Sequence, residues 1–187
     1  MKYIKEKLLT LVETPSDINE HLYTLMSYAD GCQHITEMGV RGVVSSWAFL
    51  AANPKKLVCI DINHCPIDEI STAAKNASIE FQFIKDSTVR EGFEIEPTDF
   101  LFIDTWHIYP QLKTELEKHA RNVKKYIAFH DTFTFGFVNE GNYISSPAGL
   151  RAAIVEFLTD NTEWTMASSY DHNNGVTILR RIVDIIK

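Results

Sequence analysis

The feature that most constrains this chain is a recurring event: a short apolar run arrives at a carboxylate. It occurs in "HITEMGV", "KLVCIDI", "IEFQFIKDS", "DFLFIDT" and "KKYIAFHDT". Between most of these runs lie helix-forming stretches: "VVSSWAFLAA", "CPIDEISTAAKNA" and "YPQLKTELEKHARNV". Runs such as "FLFI" and "YIAF" are apolar at every position, which suits strands buried on both faces. The alternation predicts an α/β fold with a Rossmann-like, doubly wound, mainly parallel sheet covered by helices on both sides.

The two ends depart from this rhythm. Ile4, Leu8, Leu11 and Val12 form one helical stripe within residues 2–13. A second helix restarts near Ser16, an expected N-cap, with Asn19 where a capping box prefers Glu. Leu22, Leu25, Met26 and Ala29 supply its apolar face, and "DG" closes it, so residues 1–30 read as N-terminal helices. After the helix "SPAGLRAAIVEFLTDN", the runs "EWTMASSY" and "GVTILRRIV" are joined only by "DHNNG". They form a hairpin, which requires one antiparallel strand. The connection 131–146, rich in aromatics and glycine, is long enough to cover a site as a lid. Residues 1–187 read as one domain.

Composition narrows the function. A net charge of −7 with no long basic stripe disfavours nucleic acid and fits a small-molecule partner. No apolar run approaches the roughly 20 residues that span a bilayer. Cys32, Cys59 and Cys65 form no paired framework, and with the acidic balance they suggest reduced thiols in a cytoplasmic protein. His64 and Cys65 beside Cys59 match no zinc spacing.

In open α/β sheets, ligands bind beyond the carboxyl ends of the strands. The residues delivered there are Glu37 and Gly39, then Asp61, then Asp86 and Ser87, then Asp104 and His107, then His130 and Asp131. Gly39 and Gly42 let the backbone turn sharply and approach a ligand. Glu37 beside that turn repels phosphate and suits a cationic or amine-bearing ligand. Asp61 lies about twenty residues beyond the turn, where an acid can hold both hydroxyls of a ribose.

In order and spacing, "EMGVRGVVSSWAFL", "LVCIDI", "IKDS", "FLFIDTWHIYPQLKTELE" and "YIAFHDT" resemble the motifs of class I S-adenosylmethionine-dependent methyltransferases. The likeness covers residues 33–181 and is closest to the small-molecule and sugar O-methyltransferase branch. The resemblance implies S-adenosylmethionine as cofactor. It places Glu37 and Gly39 at the methionine end and Asp61 at the ribose, with Gly42, Ser45 and Ile62 also contacting the cofactor. Asp86 and Ser87 then flank the adenine, and Asp104 lies beneath the sulfonium. The second glycine of the family's first motif falls one position early, with Val43 in its usual place; Thr105 and Trp106 stand where the family has Gly and often an acid.

His107, three residues past Asp104, has the pKa to take a proton from an attacking hydroxyl, with Asp104 orienting it. Asp104 and Asp131 offer hard oxygens to Mg²⁺ or Ca²⁺. Trp106, Tyr109, Asp131 and Phe133 are expected at the substrate, whereas Trp47, Phe49 and Leu50 fall at core spacing. Phe133, Phe135, Phe137 and Tyr143 either exclude water or cover a contact between two copies of the chain. Two functions remain open on these residues. One is methyl transfer to a small hydroxylated molecule. The other is an inactive fold that binds a nucleoside ligand or a protein, motivated by the displaced glycine and Trp106. A nicotinamide enzyme fits worse, because "GVRGVV" lacks G-x-G-x-x-G.

Overall fold

The structure, a computed structural model, describes residues 1–141 and 143–182. Asn142 of the 131–146 connection and Val183, the expected last residue of the closing strand, lie outside the described residues. Among the described residues seven strands form one sheet in the order β3-β2-β1-β4-β5-β7-β6. These are β1 (His34–Met38), β2 (Lys56–Asp61), β3 (Glu80–Lys85), β4 (Thr98–Ile103), β5 (Val123–His130), β6 (Trp164–Tyr170) and β7 (Val176–Arg181). The first five are parallel. β7 inserts between β5 and β6 and runs antiparallel to both, as the short "DHNNG" turn requires.

The apolar runs explain the layering. Every residue of β4 is buried, and its side chains alternate between two cores. Phe100 and Phe102 join the core under α1 (Lys2–Glu13), α2 (Leu22–Ala29), α3 (Val44–Ala51) and α4 (Asp68–Asn76). Leu101 and Ile103 join the core under α5 (Tyr109–His119) and α6 (Leu150–Asp160). Trp47, Phe49 and Leu50 are buried in the first of these, the place their helical spacing predicts.

The N-terminal segment differs in detail from expectation. A 3₁₀ turn at Asn19–His21 precedes α2, which starts at Leu22 rather than beside Ser16. Asn19 nevertheless does the work of the missing Glu, because its Oδ1 accepts from the Ser16 N–H at 3.0 Å. The β6–β7 turn docks here, where Asn173 Nδ2 donates to the Ser16 carbonyl at 2.8 Å.

Chain order runs outward from β1 and β4 in opposite directions, so the crevice between their carboxyl ends is the topological switch point. Asp61, Asp104 and His130 are carried to this edge by β2, β4 and β5.

Candidate active site

The turn after β1 is built around one close approach. Gly39 has φ +83°, and a Cβ there would lie 1.9 Å from the Asp104 carbonyl oxygen. Only glycine lets β1 and β4 exit side by side. The turn then takes positive φ at Arg41 (42°) and Val43 (64°), not at Gly42. A Cβ on Gly42 would meet nothing closer than 3.8 Å, so the sharp-turn role expected of Gly42 passes to its neighbours. Val43 stands in the left-handed region, a genuine outlier for a β-branched residue, at the position where the family's glycine was expected.

Glu37 is fully buried and lines neither cavity described below. Its carboxylate accepts from Ser45, from Ser46 at 2.5 Å and from the Cys59 thiol at 3.1 Å. The residue expected at the methionine end instead fastens β1 and β2 to the start of α3. Burial raises its pKa to about 7, against the pull of the two serine hydroxyls and the thiol. Asp61 lies at the surface of the crevice. Oδ2 accepts from the N–H groups of Val40 (2.9 Å) and Arg41 (3.1 Å), and Oδ1 from Asn63 (2.8 Å). Burial alone would raise its pKa, but these three donors outweigh it and hold the carboxyl low. A carboxylate has about four acceptor sites, so room remains for a ligand hydroxyl.

At the ends of β4 and β5 two carboxylates share two imidazoles. His107 Nε2 lies 3.1 Å from Asp104 Oδ1 and 3.0 Å from Asp131 Oδ2. His130 Nδ1 faces the same two oxygens at 3.3 and 3.2 Å. The remaining nitrogens are also engaged: His107 Nδ1 with Glu140 at 3.0 Å, and His130 Nε2 with the Asp17 carbonyl at 2.9 Å. Every partner is an acceptor, so each ring donates from both nitrogens and is an imidazolium. Burial opposes that charge, but the carboxylates prevail. They raise His107, and they raise His130 to about 10. Reciprocally, hydrogen bonds and charge from both imidazoles outweigh burial and hold Asp104 well below the usual carboxylate range. Resting His107 therefore has no free lone pair for the base role expected of it. Asp131, at φ 58°, keeps its buried Oδ1 without a partner among the described residues.

Two adjoining cavities open at the switch point. The larger, about 480 Å³, is walled by Asp61, Ile62, Ser87, Thr88, Trp106 and Gln111. The smaller, about 290 Å³, takes in Asp17, Gly42, Ser45, His107, Asp131 and Glu140. Gly39, Arg41, Asp61, Asp104 and Thr105 border both. Trp106 is 48% exposed and meets Tyr143 edge-on, ring centroids 5.1 Å apart. It walls the larger cavity without filling it.

Three expected residues stand elsewhere. Asp86 turns its carboxylate to Arg90, with both contacts at 2.7 Å, and leaves Ser87 and Thr88 at the cavity. Tyr109 packs between α5 and α6, its hydroxyl on Glu156, so it does not reach the substrate side. Phe133 is pinned against the β6–β7 turn by its N–H to the Asn174 carbonyl at 2.9 Å and lines neither cavity. The 131–146 connection is docked at its middle. Phe135 stacks on His107 at 5.1 Å, and Asn139 accepts from the Tyr109 N–H at 2.9 Å.

Sequence reasoning missed Glu140, which reaches His107 across 33 positions of chain with no local pattern to mark it. It also missed buried Glu115, which accepts from Thr88 (2.6 Å), from Thr105 (2.9 Å) and from Gln111 (2.9 Å). Its signal was available: α5 spacing turns an acid at 115 toward the same face as buried Leu112 and Leu116.

No protein-family model matches the chain, and no curated protein matches it in sequence. Solved structures do match in fold. The O-methyltransferase TomG from Streptomyces achromogenes, in complex with SAM, superposes with a TM-score of 0.65 at 16% identity, covering 91% of this chain and 82% of its own. An O-methyltransferase from Bacillus cereus in complex with SAH gives 0.63 at 14% identity, over 97% and 91%. The 1,6-didemethyltoxoflavin-N1-methyltransferase from Burkholderia thailandensis, with bound S-adenosylhomocysteine, gives 0.60 at 12% identity, over 90% and 79%. With its strand order and reversed C-terminal hairpin, this chain has the fold of the class I S-adenosylmethionine-dependent methyltransferases.

Proposed function

We propose that this protein is an S-adenosylmethionine-dependent methyltransferase that methylates a hydroxyl of a small molecule. The observation that carries the reading is the pair of cavities meeting at Asp104, with Asp61 on the far side of the crevice. The larger cavity suits an adenosine, with Asp61 accepting from the ribose hydroxyls and Ile62, Ser87 and Trp106 around the base. Gly39, Ser45 and Arg41 then border the methionine end. A sulfonium is a cation, and Asp104, held ionised, borders both cavities where that charge would come. The small-molecule methyltransferases among the structural neighbours support the reading.

When bound, S-adenosylmethionine would supply a methyl group to an acceptor hydroxyl held in the smaller cavity, whose walls include His107, Asp131 and Glu140. His107 faces that space and takes up the proton once Glu140 or solvent has removed one of its own. Asp104 and Asp131 orient the imidazole and stabilise its charged form. The inactive alternative loses its motive at Trp106, which walls the larger cavity without filling it.

The same cluster fits a divalent ion only after His107 gives up the proton on Nε2, because an imidazolium has no lone pair to offer a metal. Asp104, His107 and Asp131 each offer one ligand atom, all within 4.8 Å of one another, and Asp131 Oδ1 is an orphaned acceptor. Mg²⁺ or Ca²⁺ would draw on the two carboxylates, and the imidazole widens the choice toward Mn²⁺ or Zn²⁺. When bound, such an ion supplies Lewis acidity to an acceptor hydroxyl. Among the described residues no helix is long and apolar enough to cross a membrane.

Isothermal titration with S-adenosylmethionine tests the cofactor, and a labelled-methyl assay over hydroxylated acceptors, with and without chelator, tests transfer and metal. Binding together with transfer that His107→Ala abolishes is expected. A folded sample that does not bind S-adenosylmethionine would sink the reading.

A further inference from the structure

The larger cavity has an unassigned polar device beneath its wall. Glu115 rises from α5 with no exposure to solvent. Three donors converge on it, the Thr105 hydroxyl shared between both oxygens. Oε1 accepts from Thr88 Oγ1 at 2.6 Å, from Thr105 Oγ1 at 2.9 Å and from Gln111 Nε2 at 2.9 Å, and Oε2 accepts from Thr105 at 2.9 Å. Thr88, Thr105 and Gln111 all line the larger cavity. A buried carboxylate is costly unless satisfied, and this one is satisfied entirely by cavity-wall residues.

The consequence falls on Gln111. Its amide carries a donor arm and an acceptor arm, and a carboxylate can face only the donor. Nε2 is therefore held toward Glu115, with Thr88 Oγ1 nearby at 3.4 Å. Oε1 receives no hydrogen bond from the described residues and is left as an acceptor on a cavity-lining side chain. An adenine in this cavity needs an acceptor for its 6-amino group. Asp86, the acid expected near the base, does not line this cavity, and its carboxylate is turned to Arg90 instead.

We propose that Gln111 reads the 6-amino group of the cofactor's adenine through Oε1, and that Glu115 is the positioning residue that fixes which way the Gln111 amide faces. The proposal rests on the cofactor reading above and adds base specificity to it. A 6-oxo purine would set oxygen against oxygen at this point, so the site rejects the deaminated cofactor.

The test is titration of S-adenosylhomocysteine and of its 6-oxo analogue, S-inosylhomocysteine, into the full chain, with the ratio of the two dissociation constants as the readout. Wild type should favour the amino form by about tenfold, the scale of one hydrogen bond exchanged for a repulsion. Gln111→Met, similar in size but without donor or acceptor strength, should bring the ratio to within about twofold with little change in thermal midpoint. Glu115→Gln frees the Gln111 amide to face either way and should lower the ratio similarly. Glu115→Asp, which keeps the charge but withdraws it from Gln111, serves the same comparison if the first variant does not fold. A purely structural Glu115 would change stability or both affinities together and leave the ratio intact. Equal binding of the two ligands by wild type, or a ratio preserved in Gln111→Met, overturns this proposal alone. A ratio preserved in the Glu115 variants overturns the positioning role. Binding of neither ligand overturns the cofactor reading and this proposal with it.

Discussion

The two sides of the crevice are built on opposite principles. On the β1–β2 side, Gly39, Val43 and Asp61 shape the site through backbone: a close approach, a strained turn and a carboxylate that collects three N–H groups. On the β4–β5 side the site is made of side chains from separate segments. Asp104, His107, His130, Asp131 and Glu140 hold one another through shared protons. A backbone site is rigid and tolerates little change at its closest contact. A site of coupled charges tolerates geometric change better, but its protonation depends on every member.

That contrast can be broken most decisively at Gly39. Gly39→Ala places a methyl inside the Asp104 carbonyl and demands positive φ of a non-glycine residue. We expect a loss of about 3 kcal/mol or more, with cofactor binding abolished, by thermal unfolding and calorimetry.

Glu37 tests the backbone side through pH. Its folded pKa, about 7, lies above the usual 4.5, so the folded state holds a proton that the unfolded chain releases. The resulting stability is full below pH 4.5 and is lost as pH rises through about 7. Relative to Glu37→Gln, wild type should weaken across that window by something on the order of 3 kcal/mol and then run parallel. A flat difference would show that Ser45, Ser46 and Cys59 hold Glu37 ionised throughout.

On the other side, Glu140→Ala removes the acceptor from His107 Nδ1 without touching the larger cavity. Transfer should change by about tenfold, and its pH profile should move toward acid because the imidazolium loses a supporting charge. Affinity for S-adenosylhomocysteine should stay within about twofold. Equal effects on both would mean that the two sides are one unit.

The smallest effect is expected at Val43. Val43→Gly loses a buried side chain but relieves a conformation costing roughly 1–2 kcal/mol, so stability should stay within about 1 kcal/mol of wild type. Val43→Ala keeps the strain and still loses packing, and should be the less stable of the two. Denaturant midpoints decide the order.

The same division marks what could be read in advance. The placement of Gly39 and Asp61 at the crevice was legible because it follows from strand ends and local spacing. Glu37 was legible as important but misplaced, since the pattern locates a strand-end acid without saying whether it faces the ligand or the helix behind it. Asp86 and Tyr109 were lost to partners on neighbouring turns, Arg90 and Glu156. Glu140 and the pairing of Gln111 with Glu115 depend on which loops and helix faces meet, and one-dimensional spacing does not carry that information.

By itself the amino-acid order determined the layered α/β fold, because runs apolar at every position can be satisfied only between two helical layers. It also determined which carboxylates reach one edge, since parallel strands end on the same side. Only the tertiary structure decided what those carboxylates do. Their charge states and directions are set by partners brought within about 3 Å from distant segments, where Coulomb and hydrogen-bond terms are largest. Asp104 and Asp131 thus hold two imidazolium ions, and Glu115 turns the amide of Gln111 by contact alone.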